Sequence, residues 1–315
     1  MALACASSGT AFAQRGIARE GAIYLLLPLG ARIVGGGQSV ASPEPSTEQL
    51  FWNPGAVARA SQRELAFHNG QFFVGPMSAI AGVFPFGRAG VVGATVAVLD
   101  YGTQEVTQPN SSLVGQISQQ SYIFAATYAA TLGSRVSLGV TLKNARFVGT
   151  CSGLCDDVAR FDVSTTAVDV GMQYRAASED DIVIGAAIRH AGPRFQLYDE
   201  PQSDPLPTRV QAGASYRLPV LDDEMPGTIL RLNADAIDRL LDPGAMAVRF
   251  GAELTWRGAV AVRASYVAGS GEGTGGGVGI GFVTRRITFD VAQTFGGATE
   301  TAAIGSTFFS LRGRW

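Results

Sequence analysis

The chain has 315 residues and a formal net charge of −2, and only 16% of its residues are charged while 46% are hydrophobic, whereas soluble domains hold about 25% charged residues. The near-neutral balance argues against nucleic acid as a partner, because phosphate binding requires a basic surface. No run of about 18 apolar residues occurs, so the sequence predicts no transmembrane helix and leaves a closed β-barrel as its way to cross a membrane.

The first residues of the chain, MALACASSGTAFAQ, predict a signal peptide over residues 1–13. Ala11-Phe12-Ala13 matches an A-x-A cleavage site, and Gln14 would be the first mature residue. A basic amino-terminal region is missing and the apolar part is short, which indicates either a start codon placed too late or a weak signal. A lipobox at Cys5 is the alternative, but too few residues precede this cysteine.

Residues 14–62 do not alternate like the rest of the chain, and we predict that they form a plug inside the barrel. A barrel of intermediate strand number encloses a sizeable hole unless something occupies it. A periplasmic tail or an edge strand is the alternative. The residues expected to make up the plug motif are Gly30, Ala31, Arg32, Gly35, Gly36, Gly37, Trp52, Asn53, Pro54 and Gly55.

Two features of this segment predict how it meets the barrel wall. The glycines at 35–37 allow the backbone to approach the wall closely. Several predicted strands also carry an internal glycine, which we expect to ease curvature and to make room for the plug. Arg32 is expected to pair with an inward carboxylate, and the sequence leaves Glu253 and Asp290 both open.

From about residue 62 onward the chain is a succession of alternating segments. In residues 208–218, for example, Val210 and Ala212 alternate with Arg209 and Gln211. Because neighbouring side chains of a strand point to opposite faces, each segment has one apolar and one polar face. A soluble sandwich or propeller also alternates. Strands longer than the ~5–6 residues of soluble proteins, with aromatic residues near their ends, favour a membrane barrel.

We predict an all-β fold, a transmembrane antiparallel barrel of about fourteen strands over residues 63–315. An even number is typical of bacterial single-chain barrels. Short turns should then lie at the periplasmic end with both termini, and the segments 101–118, 149–159 and 191–206 should form long extracellular loops. The strands are predicted near 63–73, 76–86, 89–100, 119–132, 135–148, 160–175, 181–190, 207–218, 227–238, 246–256, 259–268, 273–283, 286–295 and 302–315.

The last strand and one loop carry further signals. Phe309, Leu311 and Trp315 share the outward parity of a strand with an aromatic end, which resembles the signal that the barrel-assembly machinery recognises in its clients. Cys151 and Cys155 lie in a predicted extracellular loop, where oxidising conditions favour a disulfide between them. A metal or redox site at these two cysteines is the poorer interpretation, because partner ligands are missing.

The sequence lacks the motifs of an enzyme, and we predict no catalytic residue, metal site or cofactor. His68 and His190 are isolated in strands, without the spacing of a zinc site. Residues 271–276 match GxGxxG formally, but they lie in a hairpin loop without a following helix to hold a pyrophosphate. The expected partners are therefore outer-membrane lipid, the assembly machinery and a cargo.

The amino-terminal motifs resemble the signature of the PorV/PorQ family, which belongs to the wider group of FadL-like outer-membrane barrels. The resemblance lies in LLLPLGAR at 25–32, GGGQS at 35–39 and FWNPG at 51–55. It departs from the family at Gly36, where Met is usual, and at Ser39, where Ala is usual. The residues PEPS at 43–46 replace the usual acidic pair.

The resemblance implies a location in the bacterial outer membrane and two different functions. A PorV-like barrel would dock or shuttle secreted proteins in type IX-like secretion through its extracellular loops. The alternative is FadL-like uptake of hydrophobic small molecules, such as long-chain fatty acids, past a plug that shifts. A purely structural barrel is the third possibility.

Overall fold

The computed structural model describes residues 20–107, 113–153, 161–176, 181–196, 203–221, 225–269, 274–296 and 305–315. The predicted signal peptide over residues 1–13 lies outside this part of the chain. The strands are β1 Glu64–Phe72, β2 Gly75–Pro85, β3 Val91–Thr107, β4 Leu113–Leu132, β5 Val136–Gly153, β6 Phe161–Arg175, β7 Ile182–Ala191, β8 Arg209–Leu218, β9 Thr228–Arg239, β10 Ala247–Trp256, β11 Val260–Gly269, β12 Gly275–Val283, β13 Ile287–Gly296 and β14 Thr307–Arg314.

The fourteen strands form one closed antiparallel barrel. Each strand pairs with its neighbours in sequence, and β1 closes the barrel by pairing with β14, so that Glu64 lies opposite Arg314 and Gln71 opposite Thr307. Closure pairs the two edges that an open sheet would leave exposed. The predicted fold class and strand number are confirmed.

The two faces of the wall are the reverse of those in a water-soluble barrel. On β8, Ala212 and Tyr216 are exposed on the outside while Gln211 and Ser215 are fully buried inside. On β14, Leu311 is exposed and Arg312 is buried. Large apolar side chains cover the outside, as in barrels that face lipid. In the part of the chain that the structure describes, no helix is long and apolar enough to cross a membrane.

The barrel has two different ends. The turn end contains the start of β1, the last residue Trp315 and the short turns at 86–90, 133–135, 257–259 and 284–286. The opposite end, here called the loop end, contains the connections after the odd-numbered strands, from the two residues Phe73 and Val74 after β1 to the seventeen residues 192–208 after β7. The strands β3 to β6 are the longest, with 15 to 20 residues each, and extend furthest at the loop end.

The prediction of a long loop over residues 101–118 is wrong. The strands β3 and β4 continue through most of this range, with Thr103 opposite Ser118 and Val106 opposite Gly115. A register shift between Asp100 and Thr103 marks the start of the extension. Polar residues occupy both faces beyond the shift, so the alternation that indicates a strand is lost although the backbone pairing persists. β5 likewise extends to Gly153, into the predicted loop 149–159.

Residues 20–60, here called the inner segment, lie inside the barrel. They form 3-10 turns at Ile23–Leu26, Thr47–Phe51 and Pro54–Arg59 and a short helix, α1, at Ala31–Gly35. α1 packs against β11 to β14 on one side of the wall, while the turn at Pro54–Arg59 packs against β3 to β6 on the other. The segment therefore bridges the lumen.

Wall glycines make this close approach possible. A Cβ atom at Gly251 of β10 would lie 1.8 Å from the carbonyl oxygen of Gly36. At Gly185 of β7 it would lie 2.3 Å from the carbonyl oxygen of Val40. Since both contacts are with backbone atoms, no side-chain rotation relieves them. These glycines are therefore needed where the backbone of the inner segment meets the wall.

We expect Gly251→Val to displace the inner segment from β10, because the new side chain would overlap its backbone. Overpacking of this kind costs roughly 1–3 kcal/mol, which corresponds to a fall of about 2–5 °C in the unfolding midpoint of a chain of this length. A folded barrel and its unfolded chain migrate differently in SDS gels. The temperature at which half of the protein migrates as the unfolded chain measures this midpoint. Gly276→Ala on β12 is the control, because a Cβ atom there meets only the Ser265 carbonyl oxygen at 3.5 Å. Equal midpoints for the two variants would contradict the packing described here.

Candidate functional site

The interior of the barrel divides into an ionic half toward the turn end and an apolar half toward the loop end. Arg32 of α1 donates to Glu253 of β10 at 3.1 Å. Glu253 also accepts from Arg263 of β11 at 2.5 Å. Asp290 of β13 accepts instead from Arg263 at 2.8 Å and from Arg312 at 2.9 Å. Of the two carboxylates expected for Arg32, Glu253 is therefore the partner.

The inner segment contributes its own carboxylates to this network. Glu44 lies 3.0 Å from Arg32 and 3.1 Å from Arg312, and it also pairs with Arg314. Burial alone would raise the pKa of the Glu44 carboxyl, but the three guanidinium groups hold it well below its ordinary value. Glu44 is thus ionised and joins the inner segment to β14.

Glu48 serves a different purpose, at the start of α1. Its carboxyl oxygens accept from the backbone N–H groups of Arg32 at 3.3 Å and Ile33 at 3.1 Å. These N–H groups have no partner within the helix, and an acidic side chain satisfies them well. Burial raises the pKa of the Glu48 carboxyl. The role of Glu48 was not predicted from sequence, since it depends on how the segment folds back on itself.

The first two blocks of the predicted plug motif lie along the wall. The N–H of Ala31, next to Gly30, donates to the Ser310 hydroxyl at 2.8 Å. Gly35 lies against Gly279, and Gly37, with a φ of 94°, lies against Gly251. The motif residues around Arg32 therefore share one strip of contacts along β10 to β14.

The third block of the predicted plug motif is held by contacts of Trp52 and Asn53. The guanidinium groups of Arg189 and Arg249 lie 4.7 Å and 5.7 Å from the centre of the Trp52 ring. Its indole N–H donates to the carbonyl of Leu29 at 3.0 Å, which joins two parts of the inner segment. Cation–π contacts of this kind stabilise by roughly 0.5–2 kcal/mol when desolvated.

Asn53, next to Trp52, forms hydrogen bonds that hold this block in place. Its amide donates to the carbonyls of Val40 at 2.7 Å and Met172 at 2.9 Å, and its oxygen accepts from the Gly55 N–H at 3.0 Å. Pro54 begins the 3-10 turn that follows. Asn53 therefore ties this turn both to the inner segment and to β6.

The remaining predicted site residues lie at the ends of strands. Cys151 is near the loop end of β5 and is disulfide-bonded, whereas its predicted partner Cys155 lies outside the described residues. Phe309 and Leu311 occupy the outward face of β14, and Trp315 follows at the turn end. Recognition by the assembly machinery stays a prediction.

The apolar half of the interior surrounds the start of the inner segment. The ring of Phe147 lies 5.8 Å from Tyr101 and 4.6 Å from Phe161. These aromatic rings belong to the extended strands β3, β5 and β6. Tyr24 and Leu25 of the inner segment belong to the same apolar cluster. The lining thus offers hydrophobic contact from the loop end inward.

A closed pocket lies where the two halves meet. Its lining combines Leu25, Leu27 and Leu29 of the inner segment with Lys143, Arg189 and His190 of the wall. The cavity measures about 30 Å³, which holds about one or two water molecules but no organic ligand. Sequence reasoning missed this pocket, because its residues come from distant parts of the chain.

The polar side of the pocket is built on an irregular part of the wall. Lys143, the single lysine of the chain, pairs with Asp169 at 2.5 Å and lies 3.4 Å from the Nδ1 atom of His190. The backbone N–H of His190 donates to Asp169 at 2.8 Å. Next to Asp169, the β6–β7 ladder shifts register between Val168 and Val170.

His190 adopts a φ of 61°, which non-glycine residues seldom do and which indicates backbone strain held by its surroundings. Its Nε2 atom is buried and has no hydrogen-bond partner among the described residues. A buried polar atom of this kind is unfavourable without a partner. The pocket lining therefore includes a residue with an unsatisfied polar atom together with two cationic side chains.

The loop end of the inner segment is held by the chain that follows β7. Arg209 of β8 forms a two-point ion pair with Glu20 at 2.7 and 2.8 Å. The N–H of Gly21 donates to the Pro205 carbonyl at 2.9 Å. Phe195 packs into the same apolar cluster as Tyr24. These contacts close the apolar lining at the start of the inner segment.

Among the described residues, no group of three or more His, Cys, Asp or Glu side chains is placed to hold a metal ion. No protein-family model matches the chain, and no curated protein is similar to it in sequence.

Solved structures are similar to the chain in fold. The toluene transporter TbuX of Ralstonia pickettii matches with a TM-score of 0.58 and 11% identity, over 91% of this chain and 98% of that one. The toluene transporter TodX of Pseudomonas putida gives 0.58 and 9%, over 90% and 96%. A FadL homologue of Pseudomonas aeruginosa gives 0.57 and 12%, over 92% and 98%.

At these identities the likeness concerns the fold alone. It supports the predicted resemblance to the FadL-like group of barrels, while the narrower PorV/PorQ resemblance gains no support. Two of the similar proteins are described as toluene transporters and the third as a FadL homologue.

We expect Glu253→Gln to loosen the inner segment, because Arg32 and Arg263 would lose a shared buried carboxylate. Since both arginines keep a second partner, the cost should be about 1–3 kcal/mol, less than for an isolated buried pair. Hydrogen exchange of residues 30–60, followed by mass spectrometry, should become faster.

Asp162→Asn is the matched control, since Asp162 pairs with Arg146 on the surface with half of its side chain exposed. Exposed pairs contribute about 0–1 kcal/mol, so exchange in residues 30–60 should not change. Unchanged exchange in Glu253→Gln as well would show that the ionic half does not hold the segment.

Proposed function

We propose that the protein is a bacterial outer-membrane channel for hydrophobic small molecules, with residues 20–60 as its plug. The single observation that carries this proposal is the apolar lining at the loop end, which leads to a small pocket whose lining includes cationic groups. The exposed apolar outer face suits a position in lipid. The shared fold with transporters of toluene supports the same conclusion.

A hydrophobic molecule would enter from the loop end, along the aromatic side chains of Tyr101, Phe147 and Phe161. Burial of apolar surface drives this step, with roughly 25 cal/mol for each Å² removed from water. At the pocket the molecule meets Leu25, Leu27 and Leu29. Because the cavity is too small for it, these leucines must move, and passage requires a rearrangement of the plug.

The polar side of the pocket indicates a ligand with one acceptor group. Lys143 and Arg189 supply donors, and the Nε2 atom of His190 lacks a partner among the described residues. A carboxylate at the end of a hydrocarbon chain would satisfy these groups while its chain displaces the leucines. A long-chain fatty acid has this chemistry, whereas a plain hydrocarbon would leave the polar groups unsatisfied.

Docking of secreted proteins stays a prediction without structural support. It depends on the extracellular loops, and the tips at 108–112, 154–160 and 197–202 lie outside the described residues. No geometry in the described part favours it over uptake. The orientation, with the loop end outside the cell and both termini in the periplasm, is likewise part of our proposal.

We expect the double variant Lys143→Met, Asp169→Asn to lose affinity for oleate by about tenfold, because a charged hydrogen bond to the carboxylate is removed. Removing both partners avoids an unpaired charge in the wall. Trp52 is adjacent to the pocket, so its fluorescence reports binding once Trp256 and Trp315 are replaced by Phe. Affinity for a neutral hydrocarbon such as naphthalene should stay within about twofold.

Arg146→Gln is the control, since this exposed arginine lies at the loop end outside the pocket. If oleate bound the double variant as tightly as the unchanged protein, the carboxylate site would be wrong. If neither ligand altered the Trp52 signal in any variant, the uptake function itself would be contradicted.

A further inference from the structure

The turn end of the barrel carries a series of exposed arginines that the proposed channel does not use. Their side chains are exposed to solvent, and within the described ranges none of them makes an ion pair with an acidic side chain. They lie before β1 and in four hairpin turns. The residues are Arg63, Arg88, Arg135, Arg257, Arg285 and Arg286.

These arginines form a continuous arc. The turns that carry them join β2 to β3, β4 to β5, β10 to β11 and β12 to β13, and Arg63 precedes β1. In the closed order of strands, this arc runs from β10 through β14 and β1 to β5. The segments 61–63, 86–90, 133–135, 257–259 and 284–286 contain no acidic residue.

The remaining sector of the turn end has a different charge. The connections 176–181 and 219–227, which join β6 to β7 and β8 to β9, contain six acidic residues in the sequence. There Asp181 pairs with Arg217 at 3.4 Å. The positive charge is therefore confined to the arc instead of being spread over the whole rim.

The arc lies at the boundary of the apolar outer face. Phe86, Trp256, Ile287 and Trp315 are next to its arginines in sequence or pairing, and each of them is largely exposed. The Arg257 guanidinium lies 4.9 Å from the ring centre of Trp256. Aromatic side chains with adjacent cations are typical of the level where lipid headgroups meet hydrocarbon.

We propose that this arginine arc binds the phosphate groups of anionic phospholipids in the leaflet at the turn end. The proposal rests on the membrane location given above. Guanidinium groups match phosphate with paired hydrogen bonds, and cations near a membrane surface attract anionic lipids. A protein partner would be expected to bind a compact patch of positive charge. The arginine arc instead follows the edge of the apolar outer face, which fits a ring of lipid headgroups around the barrel.

Fluorescence quenching by brominated lipids tests this, because Trp256 and Trp315 lie beside the arc. The barrel is inserted into phosphatidylcholine vesicles that contain either brominated phosphatidylglycerol or brominated phosphatidylcholine at the same mole fraction. We expect phosphatidylglycerol to associate about threefold or more in preference to phosphatidylcholine at low salt. The preference should fall in about 0.5 M salt, where charge attraction is screened.

A variant with Arg88, Arg135, Arg257, Arg285 and Arg286 changed to Gln should lose the preference. The same five positions changed to Lys should keep most of it, which controls for the number of substitutions. Arg146→Gln with Arg194→Gln at the loop end should leave it unchanged. Equal association of the two lipids with the unchanged protein, or a preference that survives in the Gln variant, would overturn the proposal.

Failure of the underlying location is a separate result. If neither brominated lipid quenched Trp256 or Trp315, the barrel would not be in the membrane, and the proposed channel would fail together with the arc. Quenching by both lipids without a preference for phosphatidylglycerol would overturn only the arc.

Discussion

The buried ion pairs between the inner segment and the wall are the interaction on which the rest of the structure depends. A closed wall of fourteen strands encloses more space than its inward side chains fill. Arg263, Asp290 and Arg312 point into that space and need partners away from bulk water. Arg32 and Glu44 of the inner segment complete the set. The same contacts satisfy the wall, close the lumen and position the leucines of the pocket.

The division of the interior links this constraint to function. The ionic half anchors the inner segment at α1, whereas the apolar half surrounds residues 22–29 with contacts that a hydrophobic ligand can replace. Within the inner segment, the residues that anchor it to the wall are therefore separate from the residues whose contacts a ligand can displace. The strained backbone at His190 and the register shift beside Asp169 lie where the two halves meet. A ligand that reaches this point competes with the segment for the same surface.

Alternation along the chain was sufficient to predict the barrel and its fourteen strands. When apolar and polar residues alternate with a period of two, each strand has one polar face toward the interior and one apolar face toward the outside. It was insufficient at β3 and β4, where polar residues occur on both faces beyond Asp100 and interrupt the alternation. The partner of Arg32 could not be chosen from sequence, since it depends on strand register. The pocket was missed for a related reason, because Lys143, His190 and Leu25 are far apart in the chain. Trp52 and Asn53 were singled out, but their contacts required the fold.

The central claim is that the inner segment closes the channel and must move for passage. A disulfide between Gly21→Cys and Asp204→Cys would lock the inner segment next to its displaceable residues 22–29. A Cβ atom at Gly21 lies 3.2 Å from that of Asp204, a few tenths of an ångström from the roughly 3.5–4.5 Å that separate the Cβ atoms of a disulfide. Cys151 and Cys155 are replaced by Ser so that one bridge alone is reducible. Uptake of labelled oleate into vesicles is measured before and after reduction. The account predicts little uptake when oxidised and recovery on reduction, and equal uptake in both states would contradict it.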